Sequence, residues 1–289
     1  MAFLGITKRA LAVLLAVVMA GLLLGFVAGA ESQRYRLWSA AAWAKLHSRL
    51  AASLPPPTLD RQPVSCPAGA MVILVIGQSH GANYVSRRFV GMPGVFNAYQ
   101  GRCYRALDPL LGAEGAKGNV WTQVGNDIVG RGIAPAVVIL NPSIGSSKLH
   151  QWVGQGSLNG YLGSSIAGLP KGLAISQVAI QIGEGDYQEG TNARDFRRSL
   201  NELIDFIRAQ GIAAPVFVAR ESLYCSPARA DNPIARVQRT FRADGVHAGP
   251  NVDALPFERY DNCHLTGAGA RDLASQWVEV FFPDAALGE

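Results

Sequence analysis

The spacing of apolar positions changes character twice along this chain. From Ala10 to Ala30 the run is unbroken and apolar, and Lys8-Arg9 precede it. From Glu31 to Ser53 apolar residues recur at helical spacing, with Trp43, Leu46, Leu50 and Leu54 on one face. Leu54-Pro55-Pro56-Pro57 stops that pattern, and the stretch to Pro67 reads as a stiff linker. From Met71 onward, short β-branched runs alternate with amphipathic stretches. Met71–Ile76, Val95–Tyr99, Val137–Leu140, Leu173–Ile182 and Pro215–Ala219 predict strands. Val120–Arg131, Arg194–Gln210, Pro233–Arg242 and Gly267–Phe282 predict helices. Strand-helix alternation implies a parallel sheet covered on both faces. The expected fold class is α/β: a three-layer α/β/α domain with a central parallel sheet over residues 68–289. Ahead of it lie an N-terminal hydrophobic helix (1–30) and a juxtamembrane helix with its linker (31–67).

The leading run has a charged n-region and enough length to span a bilayer. Ala28-Gly29-Ala30 fits a small-x-small cleavage site, so a cleaved signal peptide stays open. The run is longer than most signal peptides need, which favours an uncleaved anchor. Either way the remainder is expected outside the cytoplasm, in a periplasm or at the cell surface. The inside-positive flank agrees, although Arg34 and Arg36 blur it. Four cysteines fit an oxidising compartment. Cys225 follows the last expected strand and Cys263 adjoins His264, so Cys225–Cys263 is the expected rim disulfide. Cys66–Cys103 follows by elimination. The cysteines are scattered without a Cys-x-x-Cys, which argues against a zinc site. The net charge of +5 is dispersed and not interleaved with aromatics. That argues against a nucleic-acid partner and permits mild attraction to an acidic polysaccharide.

Candidate chemistry concentrates in two segments. The first strand runs Met71-Val72-Ile73-Leu74-Val75-Ile76 and leads into Gly77-Gln78-Ser79-His80-Gly81. A buried parallel strand ending so presents the Ser79 hydroxyl at the sheet's carboxyl edge, where open α/β sheets collect their chemistry. Far downstream, Asp261-Asn262-Cys263-His264 places an acid three residues before a base. Serine, histidine and aspartate are the parts of a hydrolytic triad. Of the five histidines, His47 and His150 lie in surface-like contexts, and His80 adjoins Ser79 in a tight turn. The remaining two each belong to an Asp-x-x-His, Asp244/His247 and Asp261/His264. The second leads directly into the last helix, a rigid anchor that favours it. Gly-x-Ser-x-Gly also suits the nucleophile elbow of α/β-hydrolases. Here, however, it follows the first strand, and acid and histidine share one loop.

Taken together, Gly-Gln-Ser after the first strand, Ile144-Gly145-Ser146-Ser147 after a middle strand, Gly183-Glu184-Gly185-Asp186 and the terminal Asp-x-x-His resemble the SGNH hydrolase superfamily, with its flavodoxin-like sheet. The nearest branch is similar to sialate-O-acetylesterases and carbohydrate esterase family 6. Ala106-Leu107-Asp108-Pro109-Leu110 resembles that branch's loop before its second helix, and the segment from Ile144 to Trp152 resembles its Ser/Thr-Ser-Ile-x-x-Trp region. The resemblance implies Ser79 as nucleophile, His264 as general base and Asp261 as its orienting acid. It implies an oxyanion hole from the N–H groups of Ser79 and Gly145. Gln78, His80, Ser146, Trp152 and Glu184 become candidate substrate contacts. No cofactor is implied, and the implied substrate is an acetylated carbohydrate or polysaccharide.

The chain departs from that branch at one point of chemical weight. The glutamine that supplies a third oxyanion donor is replaced by Ile182, and Gln181 stands one place earlier. In a regular strand Gln181 faces the opposite layer, unless a bulge re-aims it. Glu184 and Asp186 also admit a paired-carboxylate reading, with a loop brace as the alternative. The same residues therefore leave room for three functions: an exported acetylesterase, a polysaccharide O-acetyltransferase using the same acyl-enzyme, and a degenerate carbohydrate-binding domain.

Overall fold

The structure is a computed structural model that describes residues 61–223, 232–253 and 258–283. The leading apolar run, the expected juxtamembrane helix and Cys225 lie outside the described residues.

Seven strands form one sheet in the order β3-β2-β4-β1-β5-β6-β7. β1 (Met71–Gly77) is its centre and is buried at every position after Met71. Its alternation feeds two separate cores: Val72, Leu74 and Ile76 face one layer, Ile73 and Val75 the other. β2 (Val95–Tyr99), β4 (Val137–Leu140), β5 (Ile175–Gln181), β6 (Val216–Arg220) and β7 (Val246–Asn251) continue the sheet with parallel pairing. β3 (Arg102–Arg105) is antiparallel to β2. The sheet is therefore mixed at one edge rather than wholly parallel, because Gln100-Gly101 make a tight turn that returns the chain beside β2. Both residues hold the left-handed backbone such a turn requires, with φ of 47° and 77°.

Helices cover both faces, as strand-helix alternation requires. α1 (Val120–Gly130) and α6 (Gly267–Phe281) share one face, where Trp121 and Trp277 meet with ring centroids 4.9 Å apart. On the other face lie α2 (Asn159–Ala167), α4 (Ala193–Ala209) and α5 (Pro233–Thr240), with Leu162, Phe196, Leu200 and Leu203 in the core. Side chains cap these helices where the sequence supplies them: Asn119 accepts from the Trp121 N–H, Asn192 from Asp195 and Thr266 from Gly269. A short α3 (Glu184–Glu189) follows β5 directly.

Cys66 and Cys103 are joined in a disulfide, and Val64 bridges to Cys103 across the outer side of β3. The Cys225–Cys263 pairing involves a residue outside the described set. Two features of this layout position the site. β4 lies on one side of β1 and β5 on the other, so the winding direction reverses at β1. The crevice outside the carboxyl end of such a strand is where open α/β sheets bind their ligands.

Candidate active site

Ser79 stands in the turn that follows β1. Gly77 permits that turn: a Cβ there would lie 2.7 Å from the Gln181 carbonyl oxygen, so only glycine lets the end of β5 pass this close. The Gln78 N–H donates to that carbonyl at 3.1 Å, and the N–H groups of Gly81 and Ala82 close the turn on the Gln78 carbonyl. Ser79 is 8% exposed, so it is nearly enclosed but not sealed from solvent.

Asp261 and His264 form a connected pair. His264 Nδ1 lies 2.8 Å from Asp261 Oδ2. Asp261 Oδ1 accepts the backbone N–H groups of His264 at 2.6 Å and Cys263 at 3.1 Å. One carboxylate thus orients the ring and closes the loop that carries it. Asn262 sits between them at φ 61°, a backbone region that asparagine tolerates. Burial works against the Asp261 charge, but its hydrogen bonds to His264 outweigh it and hold the carboxyl down at about 2. Burial lowers His264 below its usual 6.5, against the opposing pull of Asp261. The ring is therefore a neutral base at neutral pH. Tyr84 stacks on it, with centroids 5.1 Å apart and planes 18° apart.

The loop bearing His264 is tied to the segment bearing Ser79. His80 Nε2 lies 3.0 Å from the Cys263 carbonyl oxygen, and the Ser86 N–H donates to the Leu265 carbonyl at 3.0 Å. The two segments thus meet at the carboxyl edge of the sheet. The alternative histidine does not share that edge. His247 pairs with Phe217 at the start of β6 and stacks on its ring at 5.1 Å, toward the amino end of the sheet. We expect His247→Ala to keep at least half of any esterase turnover; a variant without turnover would transfer the base role to His247.

Several expected substrate contacts are structural instead. Gln78 is buried, and its Nε2 donates to Glu184 Oε2 at 2.6 Å while its Oε1 accepts the Gly185 N–H. His80 is also buried: its Nδ1 lies 3.1 Å from Glu221 Oε1 and 3.6 Å from Glu184 Oε2. Burial disfavours the charged imidazole, but the Glu184 and Glu221 carboxylates outweigh it and raise the His80 pKa. Burial raises Glu184 as well, although His80 opposes it. These groups bridge the ends of β1, β5 and β6. His80, Glu184 and Glu221 place one potential ligand atom each within 4.8 Å of one another. The Gln78 amide and the His80 imidazole already engage Glu184 and Glu221 there.

Trp152 is fully buried, and its Nε1 donates to Ser147 Oγ, so it is a packing residue and not a sugar platform. Asp186 accepts the Leu149 N–H at 3.0 Å, which supports the brace reading over a carboxylate pair. Ser146 is exposed beside Gly145. Gln181 stays in regular register opposite Gly77, since the irregularity in the β1–β5 pairing falls at Val72/Ile73. Its side chain is buried away from the Ile182 layer, and neither amide atom has a hydrogen-bond partner among the described residues. The Gly145 N–H, expected in the oxyanion hole, donates to Glu114 Oε2 at 2.6 Å.

Glu114, Tyr84, Glu221 and Arg259 belong to this site without having been singled out in the sequence. Arg259 Nη1 donates to the Cys263 carbonyl and lies 3.0 Å from His80 Nε2. Glu221 had a usable signal, a charged residue directly after an apolar strand at the carboxyl edge. Glu114 had none: it lies in a loop of Gly and Ala.

No protein-family model and no curated protein matches the sequence. Solved structures do. A protein from Arabidopsis thaliana is 14% identical, with a TM-score of 0.59 over 74% of this chain and 99% of that one. NanS is 12% identical, with a TM-score of 0.55 over 76% of this chain and 98% of that one. Those two likenesses are of fold, here a mixed α/β domain on a seven-stranded, mostly parallel sheet. A carbohydrate acetylesterase from Xanthomonas citri is 16% identical at a TM-score of 0.47, over 76% of this chain and 57% of that one. At these identities the first two likenesses speak for the fold alone, and the chemistry has to come from the side chains.

Proposed function

We propose that this chain is an exported serine esterase that removes O-acetyl groups from carbohydrate. The observation that carries the reading is the 2.8 Å His264–Asp261 contact on a loop tied to the Ser79 turn. With Nδ1 held by Asp261, Nε2 of His264 is the nitrogen left to act. It takes the Ser79 proton as Oγ attacks the ester carbonyl, then gives it to the departing sugar oxygen. The acetyl group remains on Ser79. Water, losing a proton to the same nitrogen, attacks the acetyl carbonyl, and acetate leaves as Ser79 regains its proton.

A place for a sugar supports the substrate class. A cavity of about 190 Å³ opens at the carboxyl ends of β2 and β4, lined by Tyr99, Gln100, Asn141, Tyr161 and Ser164 among others. Strands are spaced about 4.8 Å apart, so this cavity begins roughly one strand away from β1. We expect Tyr99→Ala to raise KM for an acetylated oligosaccharide about two- to tenfold more than for p-nitrophenyl acetate, the range an aromatic contact supports. Equal changes on both substrates would remove the cavity from the binding site.

Labelling of Ser79 by a fluorophosphonate, read by peptide mass, tests the reading. A second reading has one observation in its favour: with Gly145 engaged by Glu114, a non-catalytic carbohydrate-binding domain would leave Ser79 unlabelled. Acetate release against acetyl transfer to added polysaccharide, followed by mass spectrometry, separates esterase from transferase. Transfer as the main product would retain the acyl-enzyme and replace the hydrolytic assignment.

A further inference from the structure

We propose that Glu114 is an internal ligand of the acyl site, whose carboxylate caps the Gly145 N–H and must rotate away before an ester can be turned over. The proposal rests on the esterase reading above. Its base is the 2.6 Å contact between Glu114 Oε2 and the Gly145 nitrogen. A Cβ built on Gly145 would lie 2.8 Å from both Glu114 Oε2 and the Tyr84 hydroxyl, so carboxylate, phenol and amide converge on one point. The Tyr84 hydroxyl is hydrogen-bonded to Glu114, and its ring stacks on His264. A Glu114 carboxyl oxygen thus takes up the Gly145 N–H that the resemblance assigns to the oxyanion hole.

The backbone of Glu114 cannot withdraw to open the site. Its N–H donates to the Ser143 carbonyl at 2.9 Å, and its carbonyl accepts the Asn83 N–H at 2.8 Å. Those bonds join it to the loop of Gly145 on one side and to the segment of Ser79 on the other. Side-chain rotation is the remaining exit, and the residue is only half-buried. Rotation releases the Gly145 N–H and the Tyr84 hydroxyl together, supplying donors at the acyl site.

The cap also selects substrates. A displaced carboxylate needs new donors, and an ester whose alcohol carries neighbouring hydroxyls can provide them. A simple aryl ester cannot. Glu114 is therefore a specificity-determining residue that favours polyol esters over p-nitrophenyl acetate.

One oxyanion donor is worth about 10²–10³ in rate, so freeing it has room for a large effect. We expect Glu114→Ala to raise kcat/KM on p-nitrophenyl acetate about tenfold or more. The preference for an acetylated oligosaccharide over the aryl ester should fall by about as much. Ser79 should react faster with diisopropyl fluorophosphate, followed by intact mass. Glu114→Gln keeps the size and an acceptor oxygen but not the charge, so it should lie between; it carries the test if the near-UV circular dichroism of the alanine variant is not native. Where the parent hydrolyses the ester and is labelled at Ser79, a variant no faster than the parent in both hydrolysis and labelling overturns the cap. Acetate titration, followed at the Gly145 amide by heteronuclear NMR, separates the two failures. Tighter acetate binding in Glu114→Ala with no labelling of Ser79 sinks the esterase reading and keeps the cap. Equal labelling of Ser79 and unchanged acetate binding keep the esterase and sink the cap.

Discussion

Ser79→Ala will bring hydrolysis of p-nitrophenyl acetate down by about 10⁴-fold or more, the scale on which triad members act together. The expectation follows from position. Ser79 is the hydroxyl at the end of the central strand, and the loop that orients His264 is fastened to the next residue along. His264→Ala should fall nearly as far, because without it nothing accepts the serine proton. The two losses should not add, since each variant already disables the same step. Initial rates on purified protein, with circular dichroism confirming the fold, are the measurement. A Ser79→Ala variant within tenfold of the parent would end the assignment.

The second large effect is expected at Asp261. Asp261→Asn removes the charge that faces His264 Nδ1 and should lower kcat about 10³–10⁴-fold by disturbing ring tautomer and orientation. The pH profile gives this variant a signature that a merely structural loss would lack. His264 must be neutral to act as a base, so activity falls as pH drops through its pKa. That pKa lies below the usual 6.5, lowered by burial against the pull of Asp261. With Asp261 neutralised, burial acts unopposed and the acidic limb moves to still lower pH while the plateau drops. An acidic limb that moves upward would contradict this account of the pair. The Asp261 carboxyl itself is held down at about 2, so its contribution to folding is present above pH 4 and is lost as pH falls toward 2.

The central strands were legible because they are apolar on both faces. β2 and β4 span the residues their hydrophobic runs predict, and β1 extends only one residue further, to Gly77. The helix bounds drift by one or two residues at their ends, where fraying and capping compete. The edges were less legible. β3 is Arg-Cys-Tyr-Arg, too short and charged to register as a strand, and β7 contains Gly249-Pro250, residues that usually argue against one. Gly249 is needed there: a Cβ would meet the Ala219 backbone at 2.8 Å. In the site, Asp261 and His264 could be paired because a three-residue spacing confines both to one loop. His80, Glu184 and Glu221 could not, since they meet only when three strands align. Nor could the contact of Glu114 with Gly145, which depends on two loops 31 positions apart.

The pairing at β3 bears on how the molecule behaves in company. An edge strand leaves its outward N–H and carbonyl groups ready to recruit a strand from a neighbouring molecule. Here the Val64 N–H donates to the Cys103 carbonyl at 2.8 Å on that outer side, and the Cys66–Cys103 bond pins the covering segment in place. Arg102 and Arg105 add like charge along the same border. The disulfide therefore works as a guard against self-association as well as a staple. In a reducing medium the covering segment would be held at this border by fewer bonds, and the chain would be more exposed to intermolecular strand addition before its core had loosened.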